Sequence, residues 1–237
     1  MSRLVLSIIA VCLVPFVAAA APITPNNAGF ETGNLTGWTA TGTVSVGGTT
    51  VIPANLNNWV ISPSGSFMAI LQSQSISISQ LEIFFGLPGG TIGGAIGSAT
   101  VGSGIKQDIT GNAGDTVTMY WAFAATDYTP YNDTGFAVGG STVTPLACIT
   151  GGCTNVTGSY GAAGWFSHTF TLPSDGTHTL GFGVVNTGDS GVDSYFFLDN
   201  APGQLFNSSG VIPEPATIVL LGAGLLGLGV LHRRRRA

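Results

Sequence analysis

Charge is scarce in this 237-residue sequence: 7% of its residues are Asp, Glu, Lys or Arg, against roughly 25% in an ordinary soluble domain. Cations are scarcest of all. Arg3 stands near the start, Arg233, Arg234, Arg235 and Arg236 stand at the end, and Lys106 is the one lysine or arginine between them. Ten of the eleven acids fall between residues 22 and 210, so that segment carries a net charge of −9. A body of that sign repels phosphate backbones, which excludes nucleic acid as a partner. Long helical periodicity is also missing from it, which argues against an all-α body. No zinc-protease helix, phosphate loop or dinucleotide fingerprint occurs. What is abundant is apolar surface, at 44% of residues, enough to exclude intrinsic disorder. Glycine and proline, 36 and 12 residues, make the chain rich in turns but leave it below the roughly 25–30% of low-complexity segments.

The two ends read as addresses. Residues 1–21 have the plan of a secretory signal peptide: Arg3 as the positive region, Leu4 to Val17 as the apolar run, and Ala18 to Ala21 as the small-residue zone for signal peptidase. Pro15 favours a break before that zone. Cys12 follows a bulky Val11 rather than the small residue of a lipid-transfer site, and it leaves with the leader. At the other end Pro213, Glu214 and Pro215 precede sixteen uncharged residues, 216–231, and a basic tail, 232–237. As a helix the apolar run covers about 24 Å, short of the roughly 30 Å hydrocarbon core. It spans if the flanking arginines snorkel and the bilayer thins. Arg233, Arg234, Arg235 and Arg236 then stop in the cytoplasm by the positive-inside rule, and the body lies outside. The two prolines hold the preceding tripeptide extended at the outer face.

This order of Pro-Glu-Pro, short glycine-rich span and arginine cluster, VIPEPATIVLLGAGLLGLGVLHRRRRA, resembles the PEP-CTERM sorting signal of Gram-negative bacteria. The resemblance covers residues 211–237. It implies an exosortase-type membrane protease as partner, cleavage near Pro213-Glu214-Pro215, and a final place at the cell surface or in an extracellular matrix. Many such proteins accompany exopolysaccharide production. A plain C-terminal anchor is the plainer alternative.

The body, 22–210, has the length of one domain. It consists of short runs rich in Val, Ile, Thr and aromatics, cut by Gly, Pro, Asn and Asp. Thr41 to Val46, Phe67 to Leu71, Thr116 to Ala124, Phe166 to Leu172, His178 to Val185 and Ser194 to Leu198 are predicted strands. Thr116 to Phe123 alternates, which predicts one buried and one solvated face. The expected fold is all-β, an antiparallel β-sandwich of jelly-roll type. Gln80 to Phe85, ended by Gly86, is the one predicted short helix. Residues 86–104, with eight glycines, are expected to form a mobile loop or loose edge. Cys148 and Cys153 flank Ile-Thr-Gly-Gly, whose glycines allow the Cα atoms to approach within about 6 Å. A disulfide is favoured there over a metal site, which needs two further ligands.

Asn27-Ala28-Gly29-Phe30-Glu31-Thr32-Gly33 with Leu35-Thr36-Gly37-Trp38 resembles the opening of carbohydrate-binding-type jelly rolls. Phe67-Met68-Ala69, Gly114-Asp115-Thr116, Asp127 to Asp133, Leu180 to Asn186 and Leu198-Asp199-Asn200 resemble segments common in exported proteins bearing this sorting tag. In galactose-binding-like members the early Gly-Phe-Glu and the last-strand Leu-Asp meet, so the resemblance implies a structural calcium at Glu31 and Asp199. The alternative is two solvated carboxylates.

The remaining candidate is the loop Asp127-Tyr128-Thr129-Pro130-Tyr131-Asn132-Asp133. Aromatic faces beside carboxylates and amides are what sugar rings pack on and bond to; the competing reading folds both tyrosines back on the sandwich. Asp127 and Asp133 are also weighed as a weaker cation pair. Trp38, Trp59, Trp121 and Trp165 are expected to pack in the core or at its edges. Gly188-Asp189-Ser190-Gly191 looks like a serine-protease nucleophile segment but reads better as a turn. The expectation is therefore a non-enzymatic, exported surface or matrix protein, structural or adhesive, with extracellular polysaccharide as its partner. The alternative is a secreted hydrolase acting on carbohydrate, whose paired carboxylates would meet only in the fold.

Overall fold

A computed structural model describes residues 20–55 and 57–208. The sorting segment, with Pro213, Glu214, Pro215 and the terminal arginines, and all but the last two residues of the expected leader lie outside the described residues. Among those described, no helix is long and apolar enough to cross a membrane.

Strands β1 (Thr39–Thr41), β2 (Val44–Gly47), β3 (Thr50–Ala54), β4 (Asn57–Ser62), β5 (Met68–Gln72) and β6 (Ile76–Ser77) precede helices α1 (Ile78–Phe85) and α2 (Thr91–Ile96). Then come β7 (Ala99–Gly111), β8 (Thr116–Ala124), β9 (Thr134–Gly139), β10 (Thr142–Cys148) and β11 (Asn155–Val156). The last are β12 (Ala162–Thr171), β13 (Gly176–Thr187), β14 (Tyr195–Asp199) and β15 (Gln204–Asn207). One sheet runs β1-β7-β13-β9-β10-β11 with β6 beside β7, a second runs β12-β8-β14-β5-β2, and a third runs β15-β4-β3. Named strands pair antiparallel, as the sequence predicts, save for the parallel contact of β10 with β11.

The first two sheets face each other across the main core. Met119, Trp121 and Phe123 of β8 and Phe196 and Leu198 of β14 meet Leu180, Phe182 and Val184 of β13 and Ile105 and Ile109 of β7. The expected solvated face of β8 is kept at Thr118 and Tyr120 and lost beyond them. Ala122, Ala124, Phe197, Met68 and Ile70 point the other way and are buried beneath Ile52 and Ile61 of the third sheet. On the far side, Leu81, Phe85 and Ile92 of the helices cover Phe136, Val138 and Val185. Both large sheets are thus buried on both faces at their centres. Each fully buried Phe or Leu contributes roughly 1.5–3 kcal/mol, so these outer layers supply as much as a second small core.

Residues 86–104 are not the mobile loop that their glycine content predicts. Gly86 ends α1 in a left-handed conformation at φ 72°, after a capping box in which Ser77 and Gln80 bond each other's backbone N–H. Gly102 and Gly104 lie in β7, paired with Val185 and Gly183 of β13. A Cβ on Gly104 would stand 2.6 Å from Phe85 Cζ, and one on Gly181 would stand 2.5 Å from Phe85 Cε1. These glycines form a groove that seats α1. The run Thr41 to Val46, predicted as one strand, is broken at Gly42, where φ is +77°. There the chain leaves β1 in the first sheet and enters β2 in the second.

Candidate functional site

At one end of the sandwich, the loop after β8 (residues 125–133) meets the turn between β13 and β14. Pairing of Ala124 with Tyr195 and of Thr134 with Val185 brings the two together. The assembly has an outer aromatic layer and an inner polar one. Tyr128 is 45% exposed. Its ring stacks on Tyr160 at 5.7 Å and lies at 88° to the ring of Tyr131 at 5.7 Å. Tyr160 carried no signal in the sequence; it is placed by its N–H, which donates to the Asp127 carbonyl at 2.9 Å.

Beneath this layer Asp127 and Asp133 are wholly buried, so neither reaches a ligand at the surface. Asp133 Oδ2 accepts the Ser194 hydroxyl at 2.7 Å, and Oδ1 accepts the Thr187 N–H at 3.1 Å. Burial pushes its carboxyl up to about 7, with the neighbouring charges of Asp127 and Asp189 adding to the effect. Asp127 is raised chiefly by burial and then by Asp189, against a hydrogen bond of 2.8 Å from the Tyr128 N–H to Oδ1. Burial also raises Asp193, whose Oδ1 accepts Asn186 Nδ2 at 3.4 Å. A register shift in the pairing of β13 with β7 sets Asn186 opposite two residues of β7, Thr100 and Val101. Three buried oxygens of this region have no hydrogen-bond partner: Asp127 Oδ2, Asn186 Oδ1 and Thr187 Oγ1. Asn132 does other work. Its amide donates to the Gly151 carbonyl at 2.9 Å and accepts the Thr150 N–H at 2.7 Å. It splints the loop closed by the Cys148–Cys153 disulfide, whose Cα atoms are 5.9 Å apart.

Glu31 and Asp199 meet at a different place, on the Ser64–Phe67 segment after β4. Glu31 accepts the Ser66 N–H at 3.0 Å and the Phe67 N–H at 3.2 Å. Asp199 is wholly buried. Its Oδ2 accepts the Ser64 N–H at 2.8 Å and hydroxyl at 3.0 Å, and its Oδ1 accepts the Asn200 N–H at 2.6 Å. Burial nevertheless holds its carboxyl above the usual range, with a smaller contribution from the charge of Glu31. Every carboxylate oxygen of the pair therefore faces a donor hydrogen, and a cation here would have to displace those donors. Among the described residues no three His, Cys, Asp or Glu side chains converge as a metal-holding group.

A third feature was not legible in the sequence. Along the open edge between β10 and β12 lie two hollows of about 450 and 310 Å³. His168 borders both, with Phe170 and His178 in the first and Phe166 and Asn155 in the second. Burial lowers the His168 pKa and keeps the ring neutral. Trp121 floors the second hollow, is buried as expected, and has an indole N–H without a partner.

The PEP-CTERM protein-sorting motif matches residues 211–236. No curated protein matches the chain. Among solved structures, TmCBM61 in complex with β-1,4-galactotriose is 15% identical, with a TM-score of 0.37, covering 77% of this chain and 96% of that one. The enzymatically active domain of bacteriophage CBA120 tailspike protein 4 is 13% identical at a TM-score of 0.37; the match covers 76% of this chain and 21% of that one. A structure of carbohydrate-binding modules from the β-sandwich superfamily is 17% identical at a TM-score of 0.35, covering 80% of this chain and 64% of that one.

Proposed function

We propose that this chain, whose C-terminus carries a PEP-CTERM sorting motif, is a non-enzymatic surface or matrix protein that holds extracellular polysaccharide. The motif marks an exported, membrane-anchored precursor sorted to the cell surface. In the proposed route signal peptidase removes the leader of a Gram-negative precursor. An exosortase-type protease then cuts near Pro213-Glu214-Pro215, and the helix 216–231 with its cytoplasmic arginines is left behind. Changing Glu214 and Pro215 together should leave a precursor of full mass in the membrane; unchanged size and location of the processed protein would overturn this route.

The observation that carries the polysaccharide reading is the exposed ring of Tyr128, held by Tyr160 and Tyr131. Rings anchored on their neighbours present a flat apolar face at small entropic cost, and sugar rings stack on such faces. The processed protein on a glycan array should bind, and Tyr128→Ala should weaken binding at least tenfold. Turnover of a bound glycan would favour the hydrolase reading instead, and neither binding nor turnover would leave a purely structural role. Loss through Phe166→Ala but not Tyr128→Ala would move the contact to the hollow beside β12.

A further inference from the structure

We propose that the end of the sandwich beneath Tyr128 and Tyr131 binds a divalent cation, calcium being the ion that fits, on Asp127 Oδ2, Asn186 Oδ1 and Thr187 Oγ1. Native proteins leave few buried polar atoms unpaired, and each such atom costs about 1–3 kcal/mol. Three occur here, all of them oxygens, on the loop before β9 and the end of β13. The N–H and O–H groups around them are spent on other acceptors: Tyr128 N–H on Asp127 Oδ1, Thr187 N–H and Ser194 O–H on Asp133. Asp133 adds a second carboxyl beside the set. The lysine of the body is committed elsewhere, its Nζ donating to the Phe84 carbonyl and lying 4.8 Å over the Phe84 ring. One carboxylate oxygen, one amide oxygen and one hydroxyl form a hard oxygen set, with carbonyls and water free to complete six to eight ligands. Without sulfur or imidazole the set does not suit a transition metal.

This site is independent of the polysaccharide reading, and its test uses the processed protein. Calcium at a hundred times its Kd should raise Tm by about 5–10 °C over a chelated sample. Terbium bound in place of calcium should luminesce on excitation of the overlying tyrosines. Asp127→Asn should abolish both signals, and Thr187→Val should weaken calcium at least threefold. Glu31→Gln should leave both signals intact. Absence of a calcium shift in the wild type would overturn the proposal, as would a shift that survives Asp127→Asn. If Asp127→Asn does not fold, unchanged calcium affinity in Thr187→Val overturns it equally.

A second inference rests on a separate observation and on the signal-peptide reading. The Ala21 N–H donates to Asp115 Oδ1 at 2.8 Å, the Ala21 carbonyl accepts the Thr116 N–H at 3.0 Å, and the Ile23 N–H donates to the Thr116 carbonyl at 2.7 Å. Ala21, expected to leave with the leader, is thus held beside the start of β8. The geometry points to Ala20–Ala21 as the bond hydrolysed on export. Water adds across that amide, Ala20 departs as a carboxylate, and the new ammonium of Ala21 stands on Asp115. N-terminal sequencing of the exported protein should begin at Ala21. A start at Pro22 or beyond would overturn this assignment alone, and an unprocessed chain would overturn the signal peptide with it. The freed amine should titrate above the usual 7.7–8.0 of a chain terminus and return there in Asp115→Asn; an amine unmoved by Asp115→Asn would overturn the pairing.

Discussion

The two ends of β14 hold buried carboxylates in opposite states of satisfaction. At its C-terminal end Asp199 accepts two N–H groups and a hydroxyl, and Glu31 closes the same segment from outside. At its N-terminal end Ser194 donates to Asp133, while Asp127 Oδ2, Asn186 Oδ1 and Thr187 Oγ1 face no donor. The first end is a clasp complete within the protein, built by acids whose desolvation is offset by backbone donors. The second has surplus oxygen and surplus negative charge. Burial of an acid therefore means different things at the two ends of one five-residue strand, and the donor inventory separates them.

The largest effect should come from breaking the clasp. Asp199→Ala strands the Ser64 and Asn200 N–H groups and should cost about 2–4 kcal/mol, a fall in Tm of roughly 4–16 °C. Calorimetry of the processed protein would show it in calcium and in chelator alike. Asp127→Asn should do the reverse in chelator. Removing a buried charge with an unpaired oxygen leaves Tm unchanged or raises it by a few degrees, while the gain from calcium disappears. Equal losses at both positions under chelation would erase the distinction.

Asp115 offers a smaller contrast, since hydrogen bonds from the Asn112 N–H, and then from the Ala21 N–H, hold its pKa below the usual carboxylate value. A carboxyl depressed in the folded state binds its proton more readily in the unfolded one. Its contribution is therefore complete above a pH of about 4 and is lost as pH falls through the folded value. Asp115→Asn should lower stability most above that pH and flatten the acid limb of a stability–pH profile, the two proteins converging as the pH falls. An unchanged acid limb would contradict the assignment.

Local signals were legible and layered ones were not. The strand Thr116–Ala124 and the helix ending at Gly86 follow from alternation and caps, which act within a few residues. The disulfide follows from two glycines between two cysteines. The order in 86–104 is hidden in the sequence because a glycine that turns a loop and a glycine that admits Phe85 look alike there. Ala122, Ala124 and Phe197 needed the third sheet to reveal their second buried face. In the loop 127–133 the acids turn inward, Asn132 braces the disulfide loop, and a third tyrosine arrives from residue 160. Nothing local to Asn186 or Thr187 announces that their oxygens lie buried without partners.

The functional account rests on Tyr128, and affinity electrophoresis of the processed protein through gels loaded with exopolysaccharide tests it most directly. Wild type should be retarded, and Tyr128→Ala should run as it does in an empty gel. Equal mobility of the two proteins, retarded or not, would contradict it.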